Sequence, residues 1–193
     1  MLLVISGYIA GILSAISYVP YVRDIFKGIT RPERASWLIW SVLGSIAFFS
    51  QLAKGATDSL WLTGVQTFGV LLVFLLSIKF GIGGLTKRDV IALIAAGAGI
   101  ILWYLTKEAA VALFITIAID AVGGVLTVIK SYEDPSSETI STWLLSGSAG
   151  IFAAIAVGKP DVVLLAYPLY ILLINFSVVF AIHLGKRKMQ HEL

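Results

Sequence analysis

Two polar side chains lie in the middle of long apolar stretches of this sequence. Asp120 follows the run ALFITIAI, and Asn175 follows the run LYILLI. A charged carboxylate in lipid costs about 2.5–3.5 kcal/mol, so Asp120 is expected to face other helices and to hold a proton or find a partner. An amide both donates and accepts hydrogen bonds, which suits a polyhydroxyl or zwitterionic solute. The two residues predict a solute-binding site, with interhelical hydrogen bonds or a neutral structural acid as alternatives.

Four further side chains are assigned to the same binding site. Tyr167 and Tyr170 lie on the stretch that carries Asn175, and Gln66 lies in the outer third of an earlier stretch. Gln66 is expected either to line the mouth of a cavity or to extend toward the membrane surface. Ser14 joins the group as the counterpart of Asp120 in the internal repeat described below.

Two prolines are candidate gating positions, because each interrupts an apolar run. Proline removes one backbone hydrogen bond and clashes with the carbonyl four residues earlier. That carbonyl belongs to Ile16 for Pro20 and to Leu164 for Pro168. Each proline is therefore predicted to be a hinge or a fixed bend.

The composition predicts an integral membrane protein. The 193 residues are 59% hydrophobic and only 13% charged, whereas soluble domains carry about 25% charged residues. The chain has no cysteine, so a disulfide framework and thiolate chemistry are excluded. No catalytic cluster, metal-ligand spacing or cofactor motif is evident, and no block of like charge indicates nucleic-acid binding. The sequence thus predicts a non-enzymatic protein of the lipid bilayer.

Seven apolar stretches approach the roughly 20 residues that a membrane-spanning helix needs. Only helices are expected, since an isolated strand in lipid leaves its backbone groups unpaired. The five tryptophans lie near the ends of these stretches, where interfacial anchoring is the expected role. The stretches are Leu2–Val22, Ala35–Ala53, Leu60–Phe80, Asp89–Leu105, Ala109–Ile129, Ser141–Val157 and Val162–Leu184.

The distribution of basic residues predicts the orientation. Of the 14 lysines and arginines, 11 lie after the first, third and fifth stretches or in the C-terminal tail, and 3 lie on the other side. By the positive-inside rule, the C-terminus is cytoplasmic and the N-terminus faces outward. The basic segment around Arg31 and Arg34 is explained by this rule, and direct ligand binding by either arginine is the alternative.

An internal repeat is predicted from a shift of 106 residues. The shift places Trp37 on Trp143 and Gly44 on Gly150, and it superimposes the first three stretches on the last three. Because four spans separate equivalent helices, both copies cross the membrane in the same direction, and the fourth helix connects them. The predicted fold is an all-α membrane protein with seven transmembrane helices in two parallel three-helix bundles. Residues 1–80 form the first bundle, 81–108 the linker helix, and 109–193 the second bundle with a cytoplasmic tail.

This layout resembles the SWEET and PQ-loop transporter superfamily. In that family a Pro-Gln pair late in the first helix of each repeat precedes a basic loop and a serine at the start of the next helix. Pro20-Tyr21, Lys27 and Ser36-Trp37 follow this pattern with tyrosine in place of glutamine. The second repeat has Leu126-Thr127 at the equivalent place and lacks the proline.

The resemblance implies a carrier that works by alternating access on a small polar solute. Sugars, amino acids and vitamin precursors are substrates of proteins with similar architecture, and an asparagine on the third helix of a repeat binds substrate in the family, as Asn175 would here. A ligand-binding or sorting receptor with the same seven helices is the alternative. A retinal protein is excluded, since the seventh stretch has no lysine before Lys186 for a Schiff base. Homo-oligomer formation is left open.

Overall fold

The structure is a computed structural model of the whole chain, and the residues that it describes are 1–28, 32, 34–81, 83–84, 87–136 and 138–191. The described residues form seven α-helices and no strand. The helices are α1 (Leu2–Phe26), α2 (Arg34–Ala53), α3 (Leu60–Phe80), α4 (Lys87–Thr106), α5 (Ala109–Glu133), α6 (Ile140–Val157) and α7 (Val162–His191).

Within the described residues, six of these helices are long and apolar enough to cross a membrane, and α4 contributes the shorter apolar segment Leu93–Thr106. The predicted all-helical class is confirmed, and the helices fit an integral membrane protein. Each predicted stretch corresponds to one helix.

Three helices continue beyond the predicted ends of their apolar stretches. α1 ends at Phe26 and not at Val22, α5 ends at Glu133 and not at Ile129, and α7 reaches His191. The extensions of α5 and α7 are mostly polar or charged and that of α1 begins with Arg23 and Asp24, so a search for apolar residues stops before the backbone hydrogen bonding does. Hydropathy therefore indicates where lipid contact ends, while the helix itself continues into water.

Side chains at the helix ends satisfy backbone groups that the helices leave open. The guanidinium of Arg34 donates to the carbonyl oxygens of Ser77 at 3.3 Å and Gly83 at 3.3 Å, and thus caps the end of α3. The carboxylate of Asp161 accepts the amides of Val163 and Leu164, both at 3.1 Å, at the start of α7. Arg34 therefore has a structural role, and Arg31 lies outside the described residues.

Contacts between helix ends show that the turns lie at two opposite ends of the structure. Lys54 after α2 and Glu108 before α5 form an ion pair at 2.7 Å. At that same end Gly158, after α6, packs against Leu3 near the start of α1. At the opposite end Gly185 of α7 contacts the backbone of Tyr132 near the end of α5. Consecutive helices thus alternate in direction.

The helices pack in a pattern that repeats within the chain. α3 packs against both α1 and α2, and α7 packs against both α5 and α6. Further contacts join α1 to α6 and α2 to α5, while α4 lies against α5 and α2. If α1 is exchanged with α5, α2 with α6 and α3 with α7, the same pairs of helices are in contact. The contacts of α4 are the exception.

Small residues lie where the helices approach most closely. A side-chain carbon added at Gly11 would lie 3.2 Å from Cβ of Trp61, and one added at Gly147 would lie 3.0 Å from the ring of Phe176. Ala10, Ala149 and Ala153 are fully buried in the largest core cluster. Such residues let helix backbones come together in lipid, where packing and not the hydrophobic effect drives association.

Candidate functional site

Asp120 lies on α5 and faces α7. Its carboxylate oxygen Oδ2 accepts a hydrogen bond of 2.7 Å from the hydroxyl of Tyr170. The carboxyl group also interacts with the side chain of Trp40 on α2, and electrostatically with Tyr18 and Tyr167. One acid in the middle of α5 therefore meets side chains from α2 and α7, as its position in an apolar run predicts.

Gln66 occupies the centre of a second group of hydrogen bonds. Its amide nitrogen Nε2 donates to Oγ of Ser146 at 3.1 Å, and its oxygen Oε1 accepts from the hydroxyl of Tyr167 at 3.3 Å. Its backbone carbonyl accepts from the hydroxyl of Tyr18 at 3.3 Å. Gln66 is only 8% exposed, so it neither extends to the membrane surface nor lies at an open mouth. It joins α3 to α1, α6 and α7.

The two groups adjoin each other through tyrosines. Tyr167 donates to Gln66 and also interacts with Asp120, and its ring centre lies 6.3 Å from that of Tyr170. Tyr18 likewise interacts with both Gln66 and Asp120. Tyr18, Asp120 and Tyr170 keep part of their surface accessible, whereas Tyr167 is buried. We call the set Tyr18, Trp40, Gln66, Asp120, Ser146, Tyr167 and Tyr170 the central polar cluster.

Ser14 lies one helical turn from Tyr18 on α1. Ser14 is fully buried, and its hydroxyl oxygen has no hydrogen-bond partner among the described residues. Its backbone carbonyl accepts a bond of 2.7 Å from the hydroxyl of Ser17. A buried hydroxyl without a partner costs about 1–3 kcal/mol, so Ser14 Oγ is available to a further donor or acceptor.

Asn175 is buried on α7 at 5% exposure, and the structure does not connect it to the central polar cluster. Its side-chain nitrogen Nδ2 donates to the carbonyl of Ile171 at 2.7 Å on the same helix. Its Cβ lies against Gly147, where an added side-chain carbon would come within 3.3 Å. The described contacts of Asn175 are those of a residue at the interface of α6 and α7.

Pro20 and Pro168 both lie inside helices, α1 and α7, and neither ends its helix. Pro168 is fully buried beside the contact between α7 and Gly150, whereas Pro20 is partly exposed. Leu126, which stands at the place of Pro20 in the second repeat, has a side chain outside the described part of the structure.

Three members of the central polar cluster were missed by the sequence reasoning. Trp40 was expected to anchor the chain at the membrane surface, but it lies partly buried between Trp37 and Asp120. Neither Ser146 nor Tyr18 was among the predicted site residues. The repeat offered a signal, because a shift of 106 residues superimposes Trp40 on Ser146, and both touch the cluster.

A separate groove of about 410 Å³ opens between α2, α3 and α4. Its lining is almost entirely apolar, with Val42, Leu71 and Trp103 among the wall residues, and it includes none of the predicted site residues. Such a lining offers a polar solute no hydrogen bonds. The central polar cluster is therefore the candidate functional site.

The described residues contain no group of three or more histidine, aspartate or glutamate side chains able to hold a metal ion. Comparisons of the chain with protein-family models, with curated proteins and with solved structures gave no match.

Proposed function

We propose that this protein is a membrane carrier that moves a small polar solute by alternating access between two three-helix bundles. The first bundle is α1–α3 within residues 1–80, the second is α5–α7 within 109–193, and α4 within 81–108 links them. The repeated contact pattern supports this division, because α3 and α7 each pack between the other two helices of their own bundle. The resemblance to SWEET and PQ-loop transporters supports the same reading.

The observation that carries the proposal is that the central polar cluster joins the two bundles. Gln66 of the first bundle bonds to Ser146 and Tyr167 of the second. Asp120 of the second bundle interacts with Trp40 and Tyr18 of the first. A solute held between such groups touches both bundles, so rocking one against the other would change the side from which it is accessible.

The polar groups of the cluster suit a solute with hydrogen-bonding capacity. Gln66 offers an acceptor and donors, the tyrosines offer hydroxyls, and Asp120 offers acceptors. Ser14 adds a buried hydroxyl with no partner among the described residues. We include Asn175 in the proposed site because its amide both donates and accepts hydrogen bonds and the resemblance assigns substrate binding to an asparagine on this helix. No catalytic step and no cofactor enter the proposal.

We further propose that the N-terminus faces outward and the C-terminus lies in the cytoplasm. The excess of basic residues at one set of turns supports this orientation. Reporter fusions at the two termini test it: a cytoplasmic reporter should be active at the C-terminus and inactive at the N-terminus. The reverse pattern would overturn the orientation.

Uptake into proteoliposomes tests the transport proposal directly. Vesicles containing the purified protein should accumulate or exchange one solute from a set of labelled sugars, amino acids, vitamin precursors and organic cations, whereas empty vesicles should not. Gln66→Ala should slow this exchange, because it removes the bonds that join the bundles at the site. Saturable binding without any flux would identify a receptor and overturn the carrier.

A further inference from the structure

Asp120 is an acid whose described surroundings are rich in aromatic rings and lack a positive charge. Its hydrogen-bond partners are Tyr170 and Trp40, and the ring of Tyr167 lies 6.3 Å from that of Tyr170. Among the side chains that the structure describes, no lysine, arginine or histidine forms an ion pair with it. A carboxylate inside a membrane protein ordinarily pairs with a cation or gives up its charge.

Further aromatic rings follow one another from Asp120 toward the C-terminal end of α1. The ring centres of Trp40 and Trp37 lie 5.1 Å apart, and those of Trp37 and Tyr21 lie 5.1 Å apart. Tyr21, Trp37 and Trp40 thus form a row of packed aromatic side chains that ends at Asp120.

This combination of side chains favours one class of solute. The face of an aromatic ring is electronegative and attracts a cation within about 6 Å, most strongly when water is excluded and the ring is tryptophan or tyrosine. When it is ionised, the carboxylate of Asp120 adds a full negative charge at the same place. An uncharged sugar gains neither interaction, and an anion is repelled by both.

We propose that the solute held at the central polar cluster is a small organic cation, whose positive charge lies between the carboxylate of Asp120 and the rings of Trp40, Tyr167 and Tyr170. The inference rests on the proposed carrier function for its physiological meaning, but it concerns the charge of the ligand and is testable by binding alone.

Matched pairs of solutes isolate the charge. Choline is paired with 3,3-dimethylbutan-1-ol, which has the same shape without the charge, and guanidinium is paired with urea. Binding is measured by isothermal titration on the full-length protein in lipid nanodiscs. At least one cation should bind about tenfold or more tightly than its uncharged partner. The preference should disappear in Asp120→Asn, which keeps the size of the side chain.

A pair of variants at Trp40 separates the ring from its volume. Trp40→Phe keeps an aromatic face, whereas Trp40→Leu fills much of the space without one. Trp40→Leu should weaken cation binding about three- to tenfold more than Trp40→Phe does. Binding of the uncharged partners should change equally in the two variants. Size-exclusion chromatography and circular dichroism of every variant verify that the helices have folded.

The outcomes are distinct for the two proposals. If neither cation binds more tightly than its uncharged partner, or if the preference survives in Asp120→Asn, the cation inference is overturned. Uptake of an uncharged solute without that preference leaves the carrier standing and removes the inference. Cation binding with no flux in proteoliposomes leaves the cation inference standing and overturns the proposed carrier function.

Discussion

Replacement of Gly150 by alanine perturbs the closest approach between α6 and α7, beside Pro168. An added Cβ would lie 2.8 Å from the backbone nitrogen of Leu172 and 2.9 Å from the carbonyl oxygen of Pro168. Ordinary contacts between such atoms are about 3.5–4.0 Å, so the two helices must separate by roughly 0.5–1 Å. Because the obstructing atoms belong to the backbone, no side-chain rotation relieves the contact.

The size of the effect follows from that separation. A gap of about 0.5–1 Å forfeits a quarter to a half of the dispersion energy of each contact, and overpacking of this kind costs about 1–3 kcal/mol. Alanine in place of glycine returns about 1 kcal/mol through helix propensity. The net change in the free energy of unfolding of Gly150→Ala is therefore a loss of up to about 2 kcal/mol.

Gly44 supplies a matched control, since the 106-residue shift superimposes it on Gly150. An added Cβ there would lie 3.3 Å from Thr67 Oγ1 and 3.5 Å from Val70 Cγ2, both of which are ends of side chains. Gly44→Ala gains the same helix propensity without separating two backbones. The two variants should differ by about 1–3 kcal/mol, equivalent to roughly 2–12 °C in melting temperature.

Thermal unfolding of both variants in the same detergent, followed by tryptophan fluorescence, measures this difference. Gly150→Ala should unfold at the lower temperature. If Gly150→Ala unfolds at the same temperature as Gly44→Ala, or at a higher one, the backbones of α6 and α7 do not approach each other as closely at Gly150 as the structure shows.

Three further variants test the hinge, the site and one surface ion pair. Pro20→Ala restores a backbone donor within α1, so transport should slow with little change in solute affinity, and single cysteines on the cytoplasmic side should label at altered rates. Tyr170→Phe removes the 2.7 Å hydrogen bond to Asp120 but keeps the ring, so solute affinity should fall about three- to tenfold in titrations. Lys54 lowers the pKa of the exposed Glu108 by a hydrogen bond and by its charge, so the stabilisation is present above the ordinary pKa of 4.5 and is lost as pH falls through the lower folded pKa. The melting temperature of Glu108→Gln should lie below that of the wild type at neutral pH, and the two should converge once the pH has fallen below the lowered pKa of Glu108.

The helices were predictable because lipid leaves few alternatives for an apolar stretch. The starts of α3 at Leu60, α5 at Ala109 and α7 at Val162 coincide with the predicted ones. The ends of α1, α5 and α7 were not predictable from hydropathy, since their last turns lie in polar sequence.

Less of the candidate site was predictable. Asp120 stood out because a charge in an apolar run is costly, and Tyr170 followed from its position near Pro168. Trp40 and Tyr18 are common residue types in membrane helices, and only the packing of α2 against α5 brings Trp40 to Asp120, while the packing of α1 against α3 brings Tyr18 to Gln66. Sequence shows which residues are expensive in lipid, but the partners that meet them depend on tertiary contacts.

The two halves of the chain divide the site between them in a complementary way. Gly69 on α3 makes room for the ring of Tyr18 on α1, and a Cβ at position 69 would lie 2.5 Å from Cζ of that ring. The equivalent pair in the second half reverses the sizes, since the counterpart of Tyr18 is Gly124, which packs against Ile174 beside Asn175. Tyr18 of the first half therefore reaches the central polar cluster from α1, whereas its counterpart in the second half has no side chain. An asymmetric site can hold a solute whose two ends differ, with the Tyr18 and Gln66 groups on one side and Asp120 with Tyr170 on the other. The double variant Tyr18→Gly with Gly69→Tyr exchanges the large and the small residue of the first half and moves the ring to α3. It should alter which solute binds while preserving the contact between α1 and α3.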